Sequence, residues 1–327
     1  MSLVGRLTRS LLLVALGAGG CYCLYRVLCR RKRPGGGSGG ILGRVSGMPV
    51  RGSAEAGSED IPESASNLQP HHLRTLLQML SSNSDALAQE QVLITLCNSA
   101  AFSVNHDVIR NLDGIHIIGG LLSHPNPKIK AGALNALNNL SMNLQNQEQI
   151  QALLNEILVI TTDSPLNSEV QLAGLRLVIN LSVTNNYHEK MEDYFPSLLK
   201  LMEEGNDTTK IHIMKILVNL SANPCMTAPL LASKAPSSLT FLFDSRINRD
   251  ILIRALTFAA NLSENLGRDQ QHDGHCYNEG SFHALLFKDP AALQRNVAPL
   301  LLMPDMEIKE QVSRCIRSAE RLKPYCS

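Results

Sequence analysis

The sequence predicts an all-α fold: a right-handed superhelical solenoid of stacked helical repeats, carried behind a single-pass amino-terminal membrane anchor. Three observations carry that expectation. The first is a recurring phrase. Asn139-Leu140-Ser141, Asn180-Leu181-Ser182, Asn219-Leu220-Ser221 and Asn261-Leu262-Ser263 set their asparagines 41, 39 and 42 residues apart, and a degenerate copy, Asn98-Ser99-Ala100, lies 41 residues upstream. Self-similarity at this period marks helical units that cannot bury an apolar face alone and therefore stack into one continuous core. The second is the pair of apolar columns before each asparagine. Leu93, Leu134, Leu175, Met214 and Leu256 stand five residues ahead, and Leu96, Leu137, Val178, Leu217 and Ala259 stand two ahead. With the leucine after the asparagine they fall on one helical stripe, which leaves the asparagine and the residue four before it off that stripe. The third is the uncharged run Ser10–Tyr25 between Arg6 and Arg9 on one side and Arg26, Arg30, Arg31, Lys32 and Arg33 on the other.

Taken in order, residues 1–9 form a short tail and residues 10–29 the anchor. Sixteen uncharged residues are short for a span, where ~20 is usual, but the stretch reaches Cys29 when Arg26 snorkels. The heavier basic cluster follows the segment, which places the body in the cytosol. A cleaved secretory signal would need a better cleavage site than Ala18-Gly19-Gly20, and a matrix presequence would be amphipathic rather than solidly apolar. A short, moderately apolar, basic-flanked anchor points to the outer mitochondrial membrane, with the endoplasmic reticulum membrane second because the two signals overlap. Residues 30–66 are basic at first and then a Gly/Ser-rich flexible linker, including Pro34-Gly35-Gly36-Gly37-Ser38-Gly39-Gly40.

Residues 67–327 are the repeat domain. Structure is expected to begin near Leu68. Leu73, Leu76, Leu77 and Leu80 repeat at helical spacing up to a break at residues 81–85, and a second helix reaches Asn98. The fuller units follow: helices at 115–122 and 128–142 around a turn holding Pro125 and Pro127; at 150–160 and 169–183 around Asp163-Ser164-Pro165; at 195–202 and 208–222 around Gly205-Asn206-Asp207; at 239–243 and 249–264 around residues 244–248. Residues 267–280 read as a polar loop, and helices near 283–287, 290–302 and 305–322 close the domain. The last mixes charge with Ile308, Val312, Cys315 and Ile316, as a capping repeat with one wet face requires.

Composition agrees and excludes. The chain has no Trp and only 4% aromatic residues. Nine of its Lys and Arg lie in residues 1–54, ahead of the first acid, Glu55, leaving 21 basic and 29 acidic residues in the remainder. A basic arm on an acidic body points to targeting by the arm and excludes broad nucleic-acid binding by the body. The eight cysteines include no CxxC pair, so the body is read as residing in a reducing compartment.

The run Gly114-Ile115 … Leu121-Leu122-Ser123 … Pro125 … Ala133-Leu134-Asn135-Ala136-Leu137-Asn138-Asn139-Leu140-Ser141 resembles an armadillo repeat almost throughout. The resemblance covers roughly residues 68–322. Joined to the anchor, basic flank and Gly-rich linker, the chain resembles the mitochondrial armadillo family related to the X-linked armadillo proteins. That resemblance implies residence on the outer mitochondrial membrane and a role in mitochondrial distribution, through contact with Miro GTPases and the kinesin-adaptor complex. It also implies links to growth and survival, through transcription regulators held outside the nucleus; an anchor in the endoplasmic reticulum would serve the same retention.

In armadillo folds the third helices of the repeats line a concave groove. By column, Asn98, Asn139, Asn180, Asn219 and Asn261 form a ladder whose amides match the donor and acceptor of a peptide unit. The alternative is that each amide ties its own helix to a neighbouring repeat. Nuclear-import receptors of this fold carry Trp four residues before the asparagine; here that column reads Ile94, Asn135, Arg176, Lys215 and Thr257, which argues against import-signal binding. Arg176 and Lys215, with His212 and Arg254 seven before their asparagines, are expected to face the central groove and to favour an extended acidic partner; the competing reading is a solvated basic face.

Other patterns carry less. Each phrase is also an Asn-x-Ser sequon, as is Asn206-Asp207-Thr208, but four of these five end helices at solenoid spacing rather than lying on loops. His272, His275, Cys276 and His283 crowd together without the paired spacing of a structural zinc site, so no metal is expected. Neither a phosphate-cradling loop nor GxSxG or HExxH occurs, and Glu203-Glu204 reads as solvated charge, so no enzyme, cofactor or small-molecule substrate is expected.

Overall fold

Six long helices, one per repeat, set the plan of the body among the described residues. The computed structural model describes residues 68–82, 85–268 and 277–322. The expected tail, anchor and linker at residues 1–66 lie outside the described residues. Among the described residues no single helix is long and apolar enough to cross a membrane, and there is no strand, only an isolated antiparallel bridge between Lys234 and Ser281.

The first, incomplete repeat is α1 (Pro70–Ser81) and α2 (Ala86–Ala100). The second is α3 (His106–Asn111), α4 (Gly114–Gly119) and α5 (Pro127–Leu140). The third is α6 (Leu144–Ile150), α7 (Leu154–Asp163) and α8 (Glu169–Leu181). The fourth opens with 3-10 turns over residues 185–194 and continues as α9 (Phe195–Glu204) and α10 (Asp207–Ser221). The fifth is α11 (Thr227–Ala232), a 3-10 turn at Leu239–Phe243, and α12 (Arg249–Leu266). The last is α13 (Phe282–Leu286), α14 (Pro290–Val297) with a 3-10 extension to Leu302, and α15 (Met306–Ala319). Each long third helix packs against the next, α2 on α5, α5 on α8, α8 on α10, α10 on α12 and α12 on α15.

Every third helix starts at a side-chain cap. Asp85, Asn126, Ser168, Asn206, Asn248 and Asp305 each accept a backbone N–H from the first turn they precede. Pro127 begins α5 rather than ending the turn before it: its missing N–H is an orphan donor at that position anyway, so the proline is tolerated there. The apolar columns are buried as the stripe requires. Leu134, Leu137, Leu140, Leu175, Val178 and Leu181 have no exposed surface. So do the residues three before the asparagine in α5 and α8, Ala136 and Leu177, because a third helix meets both its own repeat and the two neighbouring ones.

The sequence reading errs at the first helices. The stretch 150–160 is not one helix: α6 ends at Ile150, a 3-10 turn covers residues 151–153 and α7 starts at Leu154. The short elements at 103–111, 144–150, 185–194 and 224–232 are too short for a helical period to register, although Asn143 and Asn223 cap two of them with their side chains. Helix ends also differ by one to three residues, the usual effect of fraying and tight last turns.

Gly174 marks the closest approach inside a repeat. A Cβ at this position of α8 would overlap the Thr161 hydroxyl of α7, which is already committed to the Ile157 carbonyl at 2.6 Å. Gly174→Ala is expected to destabilise the body by about 1–3 kcal/mol, the usual cost of overpacking. Adding Thr161→Ala should return part of that loss in the urea midpoint. A Gly174→Ala midpoint equal to wild type would show that the contact is not tight.

Candidate functional site: the third-helix face

The repeated asparagines stand where the third helices meet, all half-buried. Their amide donors reach back to the preceding repeat. Asn139 Nδ2 donates to the Cys97 carbonyl at 2.9 Å. Asn180 Nδ2 donates to the Asn138 carbonyl at 3.1 Å and to Ser141 Oγ at 3.1 Å. Asn219 Nδ2 meets the Ile179 carbonyl at 3.3 Å and Ser182 Oγ at 2.9 Å. Asn261 Nδ2 meets the Val218 carbonyl at 3.5 Å and Ser221 Oγ at 3.1 Å. The acceptors keep one register: the carbonyl just before the previous asparagine in all four, and the serine two after it for Asn180, Asn219 and Asn261, since Ala100 holds that place before Asn139. The donor half of the amide thus ties repeat to repeat, the alternative weighed from sequence. Ser141, Ser182, Ser221 and Ser263 are fully buried, so none of the four Asn-x-Ser sequons presents the exposed loop that glycosylation needs.

A second ladder was invisible in the sequence. Each third helix ends inside the stack, where its last carbonyls lack intrahelical partners. His106 Nε2 meets the Ala100 carbonyl at 2.8 Å, Gln147 Nε2 donates to the Ser141 carbonyl at 2.7 Å, and His188 Nε2 meets the Ser182 carbonyl at 2.7 Å. These residues lie eight after their asparagines. In the fifth repeat Thr227 holds that column and Asn265 of α12 serves the Ser221 carbonyl instead, at 3.0 Å. The only signal was a polar residue at fixed spacing, with three different chemistries. Burial holds His188 below its ordinary range, and Asn223 Nδ2 at 3.1 Å supplies the partner its other ring nitrogen needs when neutral.

The residues expected to face the groove divide into an amino-terminal and a central group. Asn98 and Asn135 line a groove of ≈ 230 Å³ together with Glu90, Ile94, Lys128 and Glu169, contributed by α2, α5 and α8. Arg176 Nη2 reaches back to Asn135 Oδ1 at 2.8 Å, joining the two groups. In the centre, His212, Lys215, Arg176 and Arg254 come together across α8, α10 and α12. Burial lowers the His212 pKa first, and the charges of Lys215, Arg176 and Arg254 lower it further. Its Nδ1 lies 2.6 Å from the Thr208 carbonyl. Arg254 Nη1 is held near Asp250, with a carboxylate oxygen at 3.7 Å. Three cations therefore crowd one half-buried imidazole on the third-helix face.

Elsewhere the expectations are redirected. Glu203 is not merely solvated, since it accepts from the Ser237 backbone at 3.2 Å and from the Ser237 hydroxyl, linking the fourth repeat to the fifth. His272, His275 and Cys276 lie outside the described residues. His283 is buried, with its ring stacked on Tyr277 at 4.2 Å.

A protein-family model described as armadillo-like matches residues 68–286. The chain belongs to the armadillo-like repeat family. The solved structures it resembles include an engineered protein at 17% identity, covering 76% of this chain and 96% of that one with a TM-score of 0.63. A designed armadillo repeat protein matches at 16% identity, 76% and 99% coverage and a TM-score of 0.63. Another designed armadillo repeat protein, solved in complex with the peptide (KR)4, matches at 16% identity, 76% and 99% coverage and a TM-score of 0.63. At these identities the likeness is one of fold, and armadillo folds serve as protein-binding scaffolds rather than catalysts.

Asn219→Ala tests the structural role of the ladder. The variant removes the amide donor from Ser182 Oγ and from the Ile179 carbonyl, which keeps only the Ser182 hydroxyl at 2.8 Å. It is expected to lower stability by about 1–3 kcal/mol, the cost of taking a donor from buried acceptors, read from the denaturation midpoint. An unchanged midpoint would reject that role.

Proposed function

We propose that this protein is a membrane-anchored armadillo scaffold whose third-helix groove holds an extended acidic segment of a partner protein. The observation that carries the reading is the cluster Arg176, His212, Lys215 and Arg254 on the third-helix face, in a fold shared with a designed armadillo repeat protein solved in complex with the peptide (KR)4. That relative holds a basic peptide; the cations here favour the opposite charge. With the aromatic clamp column replaced by Ile94, Asn135, Arg176, Lys215 and Thr257, lysine stems have nothing to stack on. The amide donors of Asn180 and Asn219 are spent between repeats, while their Oδ1 atoms accept nothing from the described residues and remain for a partner's backbone N–H groups.

The resemblance to the mitochondrial armadillo proteins supplies the setting. Residues 10–29 anchor the chain in the outer mitochondrial membrane, and the flank Arg26, Arg30, Arg31, Lys32 and Arg33 keeps the body on the cytosolic side. There the groove serves mitochondrial distribution through Miro GTPases and the kinesin-adaptor complex, and growth control through retained transcription regulators.

Charge reversal at Arg176→Glu with Lys215→Glu is expected to abolish retention of acidic partner segments in pull-downs while the thermal midpoint of the body stays close to wild type. Undiminished binding by that double variant would defeat the groove reading. The anchor is tested separately by a fusion of residues 1–40 to a fluorescent protein, expected to outline mitochondria. A reticular pattern would move the protein to the endoplasmic reticulum, and a diffuse one would refute the anchor.

A further inference from the structure

The asparagine ladder stops one repeat before the solenoid does. In α15 the buried residues Ile308, Val312, Cys315 and Ala319 repeat the spacing of Ile129, Ala133, Ala136 and Leu140 in α5. That register places Ser318 in the column occupied by Asn139, Asn180, Asn219 and Asn261. A serine is too short to reach back as the asparagines do. Its hydroxyl instead donates to the Arg314 carbonyl of its own helix at 2.8 Å. The consequence falls on Ser263. Ser141, Ser182 and Ser221 each accept an amide from the following repeat, at 3.1, 2.9 and 3.1 Å, whereas the Ser263 hydroxyl, in a fully buried residue, has no hydrogen-bond partner among the described residues.

A cavity of ≈ 220 Å³ lies between the ends of α12 and α15, lined by Ser263, Ser318, Glu264 and the arginines Arg268, Arg314, Arg317 and Arg321. Arg314 is committed to the protein. Its Nε and Nη2 grip Glu264 at 3.0 and 3.1 Å, and Nη2 also donates to Asn261 Oδ1 at 2.9 Å. That pair neutralises the one carboxylate in the lining. Arg317 spends only Nε, on the Ser313 carbonyl at 3.2 Å. Among the described residues no carboxylate pairs with Arg268, Arg317 or Arg321. Arg314, Arg317 and Arg321 are spaced three and four apart, so they share one face of the α15 end, the third-helix face of the last repeat.

We propose that this cavity is a binding site for the phosphoryl group of a phosphorylated side chain on a partner protein. A dianion with three equivalent oxygens satisfies several planar guanidinium forks at once, which a single carboxylate does not. The Ser263 hydroxyl lies buried beneath this lining, so the guanidinium groups are the donors a ligand would meet. A sequence position that everywhere else closes the ladder is here shortened, and the cavity is surrounded by positive charge. Arginines near helix ends also complement the negative carbonyl poles of α12 and α15. That role explains their sign, but neither the cavity nor the buried hydroxyl. The site rests on the groove reading only in taking the ligand from a polypeptide.

The test uses the full chain in detergent, with inorganic phosphate as the first probe and sodium chloride at matched ionic strength as its control. Phosphate is expected to raise the thermal midpoint progressively, and chloride is not. Arg317→Gln with Arg321→Gln should abolish the phosphate response. The groove variant Arg176→Glu with Lys215→Glu should keep it, so failure of the groove reading and failure of this site are told apart. The second probe is a pool of phosphoserine peptides against the same pool dephosphorylated, with preferential retention of the former expected in wild type and not in the arginine variant. An equal response to chloride, or a phosphate response that survives loss of Arg317 and Arg321, overturns the site. A phosphate response without preference for the phosphorylated pool overturns its assignment to a partner protein.

Discussion

The structure depends on how the carbonyl ends of its long helices are satisfied. In a solenoid each third helix terminates within the stack, between its own repeat and the next, where water does not reach. The last carbonyls of α2, α5, α8 and α10 must therefore find donors from the chain itself. The asparagine of the following repeat reaches back to the carbonyl ahead of the previous asparagine, and the carbonyl two after that asparagine is met by the residue eight after it in the first three helices and by Asn265 in α10. Both are polar groups buried with partners, so each fixes register as well as adding stability. Apolar stacking drives the repeats together, and these amides and rings decide at which offset they stop.

The same solution shapes what the face can do. An asparagine whose donor half is used between repeats can still offer its acceptor half outward, so the ladder is structural and partner-facing at once, atom by atom rather than residue by residue. The cations are arranged around this ladder. Arg176, Lys215 and Arg254 come from three successive third helices and lower the His212 pKa together, because the stack holds them at one height on the face. At the carboxyl-terminal end the column changes from asparagine to serine, and the ladder gives way to a cavity bordered by arginines.

Much of this was legible in the sequence. The period of the Asn-Leu-Ser phrase and the two apolar columns located the first five third helices, since apolar burial obeys a 3.6-residue spacing that needs no knowledge of neighbours. The capping residues Asn126, Ser168, Asn206 and Asn248 stood at the helix starts for equally local reasons. The first helices were not legible. Their residues, such as Gln145, Asn146 and Gln149 in α6, read as a polar linker, in stretches too short for a helical period to register. Nor was the column of His106, Gln147 and His188, because its members share no side-chain chemistry, only a carbonyl to meet.

The sequence by itself determined the number of repeats, the faces they bury and the residues that stand off those faces, because each of these follows from spacing within a single helix. Only the tertiary structure decided what the off-face residues do. The direction of each asparagine's donor, the convergence of cations on His212 and the unmatched hydroxyl of Ser263 all depend on the rise and rotation between one repeat and the next. Those quantities arise from packing between units some forty residues apart, and no local pattern encodes them.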